Sequence, residues 1–176
     1  MDFFEFFGLA QSFQVDAAAL RQQYLKNSRQ YHPDFHTLAD EAAQARALEL
    51  STLNNEAFKT LSDEDKRMAY VLEINGLLQE GDQSAALPQS FLLEMMDINE
   101  ALMELEFDQD AARLEATRGA VEAQMAQLRQ DVRPALERWQ PDAPDGAALL
   151  RQVRDFFFKR KYLLRVQENL SKFAPA

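Results

Sequence analysis

His32, Asp34 and His36 are the residues of this chain whose types and spacing could do chemistry. Two imidazoles four positions apart can ligate one metal ion from a helix, as in helical zinc sites. Pro33 removes that geometry: it has no amide hydrogen, cannot continue the helix running up to Tyr31, and pushes His32 away from helical angles. Asp34 is close by, but no third or fourth ligand is evident, so neither a metal nor another cofactor is expected. A metal titration showing tight stoichiometric binding would restore that reading. The chain has no cysteine, which removes disulfides, thiolate metal sites and a cysteine nucleophile. What remains of His32-Pro33-Asp34 is a polar corner between two helical segments, a common place for a contact site. Alone, the tripeptide is equally compatible with an ordinary helix-ending turn, and the surrounding elements must decide.

Before the corner, Asp2 can cap a very short helix to Phe7 and Gly8 can end it in a left-handed turn. Asp16 begins a second helix. Leu20, Tyr24, Ser28 and Tyr31 share one face of it, and Gln22, Lys26 and Arg29 share another that is polar and mildly basic. That second face is either solvated or a docking surface for an acidic partner. After the corner, Glu41 to Leu61 carries Ala43, Ala47, Leu50, Asn54, Ala57 and Leu61 on one stripe, with Leu53 and Phe58 beside it. The alanines let a facing helix approach closely. Asn54 is read as a structural side chain hydrogen-bonded to backbone. Ser62-Asp63-Glu64-Asp65 resembles a capping box opening a fourth helix to about Asn75. Residues 76–87, with two glycines and little periodicity, read as a linker between a domain at 1–75 and another at 88–176.

The 176 residues are enough for one large or two small domains. A formal net charge of −10 argues against a nucleic-acid partner, because no broad basic surface is available to neutralise phosphates. No apolar run approaches the roughly 18 residues that cross a bilayer. The acidic start lacks the basic opening of a secretory or transit peptide. The expectation is a soluble cytoplasmic protein without membrane contact.

Pro88 to Phe107 reads as one helix with more apolar residues than one core face needs. Phe91, Met95, Ile98, Leu102 and Leu105 form one stripe; Leu92, Met96 and Met103 form a second, with Leu93 next to it. Asp97, Glu100 and Glu104 lie beside the second stripe, which is either packed inside or offered to a partner. A further helix spans Asp110 to Val132, with Pro134 kinking it or starting a short separate turn. Residues 140–146 read as a loop. The last helix, about Ala147 to Phe173, has a core stripe of Leu149, Val153, Phe156, Leu163 and Leu170. Phe158 and Tyr162 point away from that stripe and are candidates for a second exposed apolar patch. No segment alternates as a strand does.

A short first helix, a long helix ending in His-Pro-Asp, and an antiparallel partner carrying Leu53-Asn54-Asn55-Glu56-Ala57-Phe58-Lys59-Thr60-Leu61 resemble a J-domain, as does Arg67-Met68-Ala69-Tyr70. The opening Asp2-Phe3-Phe4-Glu5-Phe6-Phe7-Gly8-Leu9, with the acidic three-helix second half, resembles the HscB family of J-type co-chaperones of iron–sulfur cluster assembly. The resemblance implies an all-α fold: a J-domain, built as an antiparallel helical hairpin with two short helices, followed by a C-terminal three-helix bundle. It implies a protein that is not itself an enzyme. His32, Pro33, Asp34, Lys26 and Arg29 would engage a DnaK-type ATPase chaperone, HscA in this family. Leu92, Leu93, Met96, Asp97, Glu100, Glu104 and Phe158 would hold the scaffold protein IscU. The chain departs from many J-domains in placing Phe35, rather than lysine, after His-Pro-Asp. Two other readings stand beside this one: a J-domain that delivers unfolded clients to a general DnaK, and a helical protein with no chaperone partner.

Overall fold

A computed structural model of the chain describes residues 1–78, 87–108 and 110–173. The fold is all-α, and the described residues contain no strand. Its helices are α1 (Phe3–Phe7), α2 (Ala17–Gln30), α3 (Glu41–Ser62), α4 (Glu64–Ile74), α5 (Gln89–Glu94), α6 (Met96–Phe107), α7 (Ala111–Arg138) and α8 (Gly146–Ser171), with a 3-10 turn at Pro33–His36. They group into two compact units. Met1–Leu78 and Trp139–Pro144 form one; the described residues of 79–138 and 145–176 form the other. Most of the expected linker, residues 79–86, lies outside the described residues.

In the first unit, α1 is too short to be stable alone, and its surroundings hold it. Asp2 accepts from Glu5 N at 2.8 Å while the Glu5 carboxylate accepts from Asp2 N at 2.9 Å. Gly8 closes the helix at φ 65°, where a side chain would be strained. Phe4 and Phe7 are buried. The amide of Phe3 donates to the Tyr70 hydroxyl at 2.9 Å and the two rings stack at 4.5 Å. Burial raises the Tyr70 phenol pKa, so the hydroxyl stays neutral.

Helices α2 and α3 form the antiparallel hairpin. Tyr24 stacks on Phe58 at 4.2 Å and donates to Asn55 Oδ1 at 3.0 Å. Ala47, Ala57 and Leu61 are buried along the seam. Asn54 Nδ2 donates to the Tyr24 carbonyl at 3.2 Å and to Ser28 Oγ at 3.0 Å. The asparagine is therefore structural, and it bonds the middle of α2.

The cap of α4 is Asp63, one residue later than Ser62. Its carboxylate accepts from Asp65 N and Lys66 N, both at 3.0 Å. The hydrogen bond from Lys66 N, with Lys66 and Arg67 nearby, holds this carboxyl below the ordinary aspartate pKa. A depressed folded-state value means the cap stabilises fully above the unfolded-state pKa and loses its effect as pH falls through the folded-state pKa. Asp63→Ala is expected to cost about 1 kcal/mol at neutral pH. In thermal melts the gap between wild type and variant closes at acid pH.

Arg67 ties three segments together. Its Nε donates to the Phe13 carbonyl at 2.8 Å and its Nη1 donates to the Leu61 carbonyl. Half-burial lowers the guanidinium pKa, partly offset by Glu64 and Asp63. Arg67→Met strands two carbonyls of buried residues, and a loss of about 2 kcal/mol in urea unfolding is expected.

In the second unit, Phe91, Met95, Ile98, Leu105, Leu114, Val121, Met125, Leu163, Val166 and Leu170 form one core cluster. The segment expected as one helix over 88–107 is two, α5 and α6, meeting at Met95 (φ −87°, ψ −2°). The interruption is slight: Met95 N still reaches the Phe91 carbonyl at 3.1 Å, and Asn99 N reaches Met95 O at 2.9 Å. Neither proline nor glycine lies at the joint. Met95 is fully buried there. Pro134 neither ends α7 nor starts a new turn; it sits inside a helix continuous to Arg138. Pro134 and Gln130, whose carbonyl loses its helical partner, are both exposed, so water can satisfy the freed group.

Candidate functional site

The His-Pro-Asp corner is open to solvent. Helix α2 ends at Gln30, and Pro33 takes the first position of the 3-10 turn, where a missing amide costs nothing. His32 caps that turn: its Nδ1 accepts from the Asp34 amide at 3.3 Å and lies 3.7 Å from the Asp34 carboxylate. Half of the His32 side chain and most of the Asp34 side chain face water. His36 turns away, with Nε2 2.9 Å from the Gln30 carbonyl. The two imidazoles are thus engaged separately. Among the described residues no three potential metal ligands come together.

Lys26 and Arg29 are exposed on α2 and line an open cleft of about 700 Å³ with Gln22, Gln23, Leu25 and Gln30. Arg29 lies in the last turn of α2, where its charge complements the helix C-terminus. Leu25 is an exposed apolar residue on this cleft that sequence reasoning missed. Its signal was available: it falls outside the stripe of Leu20, Tyr24, Ser28 and Tyr31. The corner holds its shape through α3. Gln44 Nε2 donates to the Thr37 and Ala39 carbonyls at 3.2 and 2.9 Å. The arrangement presents a carboxylate, an imidazole and cations on one exposed edge.

On the second unit the two apolar stripes of residues 88–107 separate cleanly. Phe91, Met95, Ile98 and Leu105 are buried, whereas Leu92 (42% exposed), Leu93 (59%), Met96 (58%) and Met103 (64%) are open. Asp97, Glu100 and Glu104 are exposed alongside. Glu104 is paired with Arg113 Nε at 3.1 Å, which leaves Asp97 and Glu100 as the less compensated charges. Phe107, 89% exposed, was missed, although it lies eleven residues from Met96 and so on the same face.

Phe158 corrects the sequence reading. It is only 9% exposed, with the Arg154 guanidinium 5.3 Å from its ring centroid and Phe157 edge-on at 5.6 Å. Tyr162 is not open either. Its hydroxyl donates to Asn99 Oδ1 at 2.8 Å and its ring meets Phe91 edge-on at 5.7 Å. At Tyr162 the reason is that α8 packs along α7 and also touches α5 and α6. A helix with two neighbours buries a wider arc than the single stripe allowed for.

A DnaJ-domain family model matches residues 2–70, so the first unit defines a J-domain protein. A second model, described as the HSCB C-terminal oligomerisation domain, matches residues 87–171. Solved structures resemble nearly the whole chain. The human co-chaperone protein HscB aligns at TM-score 0.68 and 25% identity, covering 98% of this chain and 81% of its own. Chaperone HscB from Vibrio cholerae aligns at 0.69 and 25%, covering 98% and 100%. The chain belongs to the HscB family.

Proposed function

We propose that this protein is a cytoplasmic co-chaperone of iron–sulfur cluster assembly. It stimulates the ATPase of a DnaK-type chaperone, the HscA of its family, and delivers the scaffold protein IscU to it. The observation that carries the reading is that each unit leaves its contact residues open: His32, Pro33 and Asp34 on the first, Leu92, Leu93 and Met96 on the second.

Asp34 accepts a charge-assisted hydrogen bond from a partner arginine, while Lys26 and Arg29 meet acidic surface. The corner acts by binding one conformation of the ATPase better than the other, which shifts that equilibrium. On α5 and α6 the apolar stripe supplies burial, and Asp97, Glu100 and Glu104 select a partner with basic residues around an apolar centre. Phe158 would contribute only if Arg154 swung off its ring.

The test measures the steady-state ATPase rate of the cognate DnaK-type chaperone with this protein, with and without folded IscU. Stimulation by the protein, increased by IscU, supports the reading. If unfolded polypeptide replaces IscU with equal effect, the protein serves general clients instead.

A further inference from the structure

Three large apolar side chains beside the His-Pro-Asp corner are open: Phe35 (73% exposed), Leu38 (fully exposed) and Leu48 on α3 (59%). Single exposed apolar residues are ordinary, but a group of them near one corner marks a contact surface; Leu48 lines a groove there, and Phe35 and Leu38 directly follow its lining residues Asp34 and Thr37 in the chain. The groove here holds about 400 Å³, and its lining includes Pro33, Asp34, Glu41, Gln44 and Leu48. Phe35 is not loosely held. Its amide donates to the His32 carbonyl at 3.0 Å and its ring meets the His32 ring edge-on at 5.8 Å. The turn that presents His32 therefore presents Phe35 as well. Among the described residues, the only charged side chains lining the groove are acidic, Asp34 and Glu41.

We infer that Phe35, Leu38 and Leu48 extend the chaperone contact into an apolar seat, occupied by a strip of the DnaK-type ATPase that pairs a basic residue with apolar side chains. The inference rests on the proposed function of the corner and adds its selectivity. A groove with acids at its edge and leucine and phenylalanine beside it rejects a partner whose matching surface is acidic and polar. The ion pair orients the partner and the apolar area holds it, so the contact resists salt more than a purely ionic one.

The experiment titrates this protein against its cognate DnaK-type ATPase and reads half-maximal concentration and maximal stimulation separately. Phe35→Ser with Leu48→Ser is expected to raise the half-maximal concentration about tenfold, from lost apolar burial. Maximal stimulation stays unchanged. The ratio to wild type holds between about 50 mM and about 500 mM salt, since the lost contact is not ionic. Circular dichroism verifies that the exposed substitutions keep the fold. A double variant with the wild-type half-maximal concentration overturns the apolar seat. His32→Gln, run alongside, separates the two ideas. If it abolishes stimulation while the double variant is neutral, only the seat fails; if it retains full stimulation, the corner's proposed role fails with it.

Discussion

His32→Gln is expected to lower the maximal stimulation proposed for the partner ATPase by about a hundredfold, a drop in keeping with loss of a central interface residue, with helix content at the wild-type level. His32 performs two tasks on the surface and none in the core. Its Nδ1 caps the 3-10 turn through the Asp34 amide, and its ring sets the contact face beside Phe35. Glutamine can still hydrogen-bond, but from a flexible chain without a ring, so Asp34 no longer meets its partner from a fixed geometry. The side chain is half exposed, so the cost to folding stays within about 0.5 kcal/mol. Parallel ATPase assays and far-ultraviolet circular dichroism decide the matter, and full stimulation by the variant contradicts the role assigned to the corner.

The second large effect concerns α5 and α6. Leu92→Ala together with Met96→Ala is expected to weaken the proposed scaffold binding by about a hundredfold, the loss of two apolar anchors that such a contact would bury. The melting temperature moves by no more than about 2 °C, because the deleted groups face water in the free protein. Phe158→Ala behaves in the opposite way. Its ring is covered, so its removal destabilises the second unit by about 3 kcal/mol. Calorimetric titration against the folded scaffold and thermal melts on the same samples distinguish the two outcomes. A large fall in melting temperature for the Leu92 and Met96 pair would mean that both residues are core.

The features that sequence reasoning located correctly depend on short-range physics. Asp2, Asp16 and Gly8 act within one turn of themselves, and Pro33 ends α2 whatever surrounds it. The two stripes of residues 88–107 follow from helical period alone; period left open whether the second is packed inside or open, and the structure leaves Leu92, Leu93, Met96 and Met103 open. The failures share a different cause. The joint at Met95 and the coverage of Tyr162 by Phe91 and Asn99 concern what meets a helix face rather than the period of the face itself. Helical period shows which side chains share a face; it does not show how many neighbours that face will meet. At Pro134 the alternative of a separate turn is set aside, because the helix runs on to Arg138 and an exposed helix surface can satisfy a carbonyl with water.

Asn54 has a mechanical consequence. The seam between α2 and α3 includes the small Ala47 and Ala57, whose shallow surface does little to fix register, so a slip of one turn, about 5.4 Å, is opposed by the Tyr24–Phe58 stack, the Tyr24–Asn55 bond and the bonds of Asn54. Asn54 Nδ2 fits only where Ser28 Oγ and the Tyr24 carbonyl stand together. Any shift would strand a polar group in a dry seam, so the amide works as a pawl against slippage. Since α2 and α3 flank the His-Pro-Asp corner, the Asn54 amide, with the Tyr24–Phe58 stack and the Tyr24–Asn55 bond beside it, sets the register from which the tip of the lever is aimed.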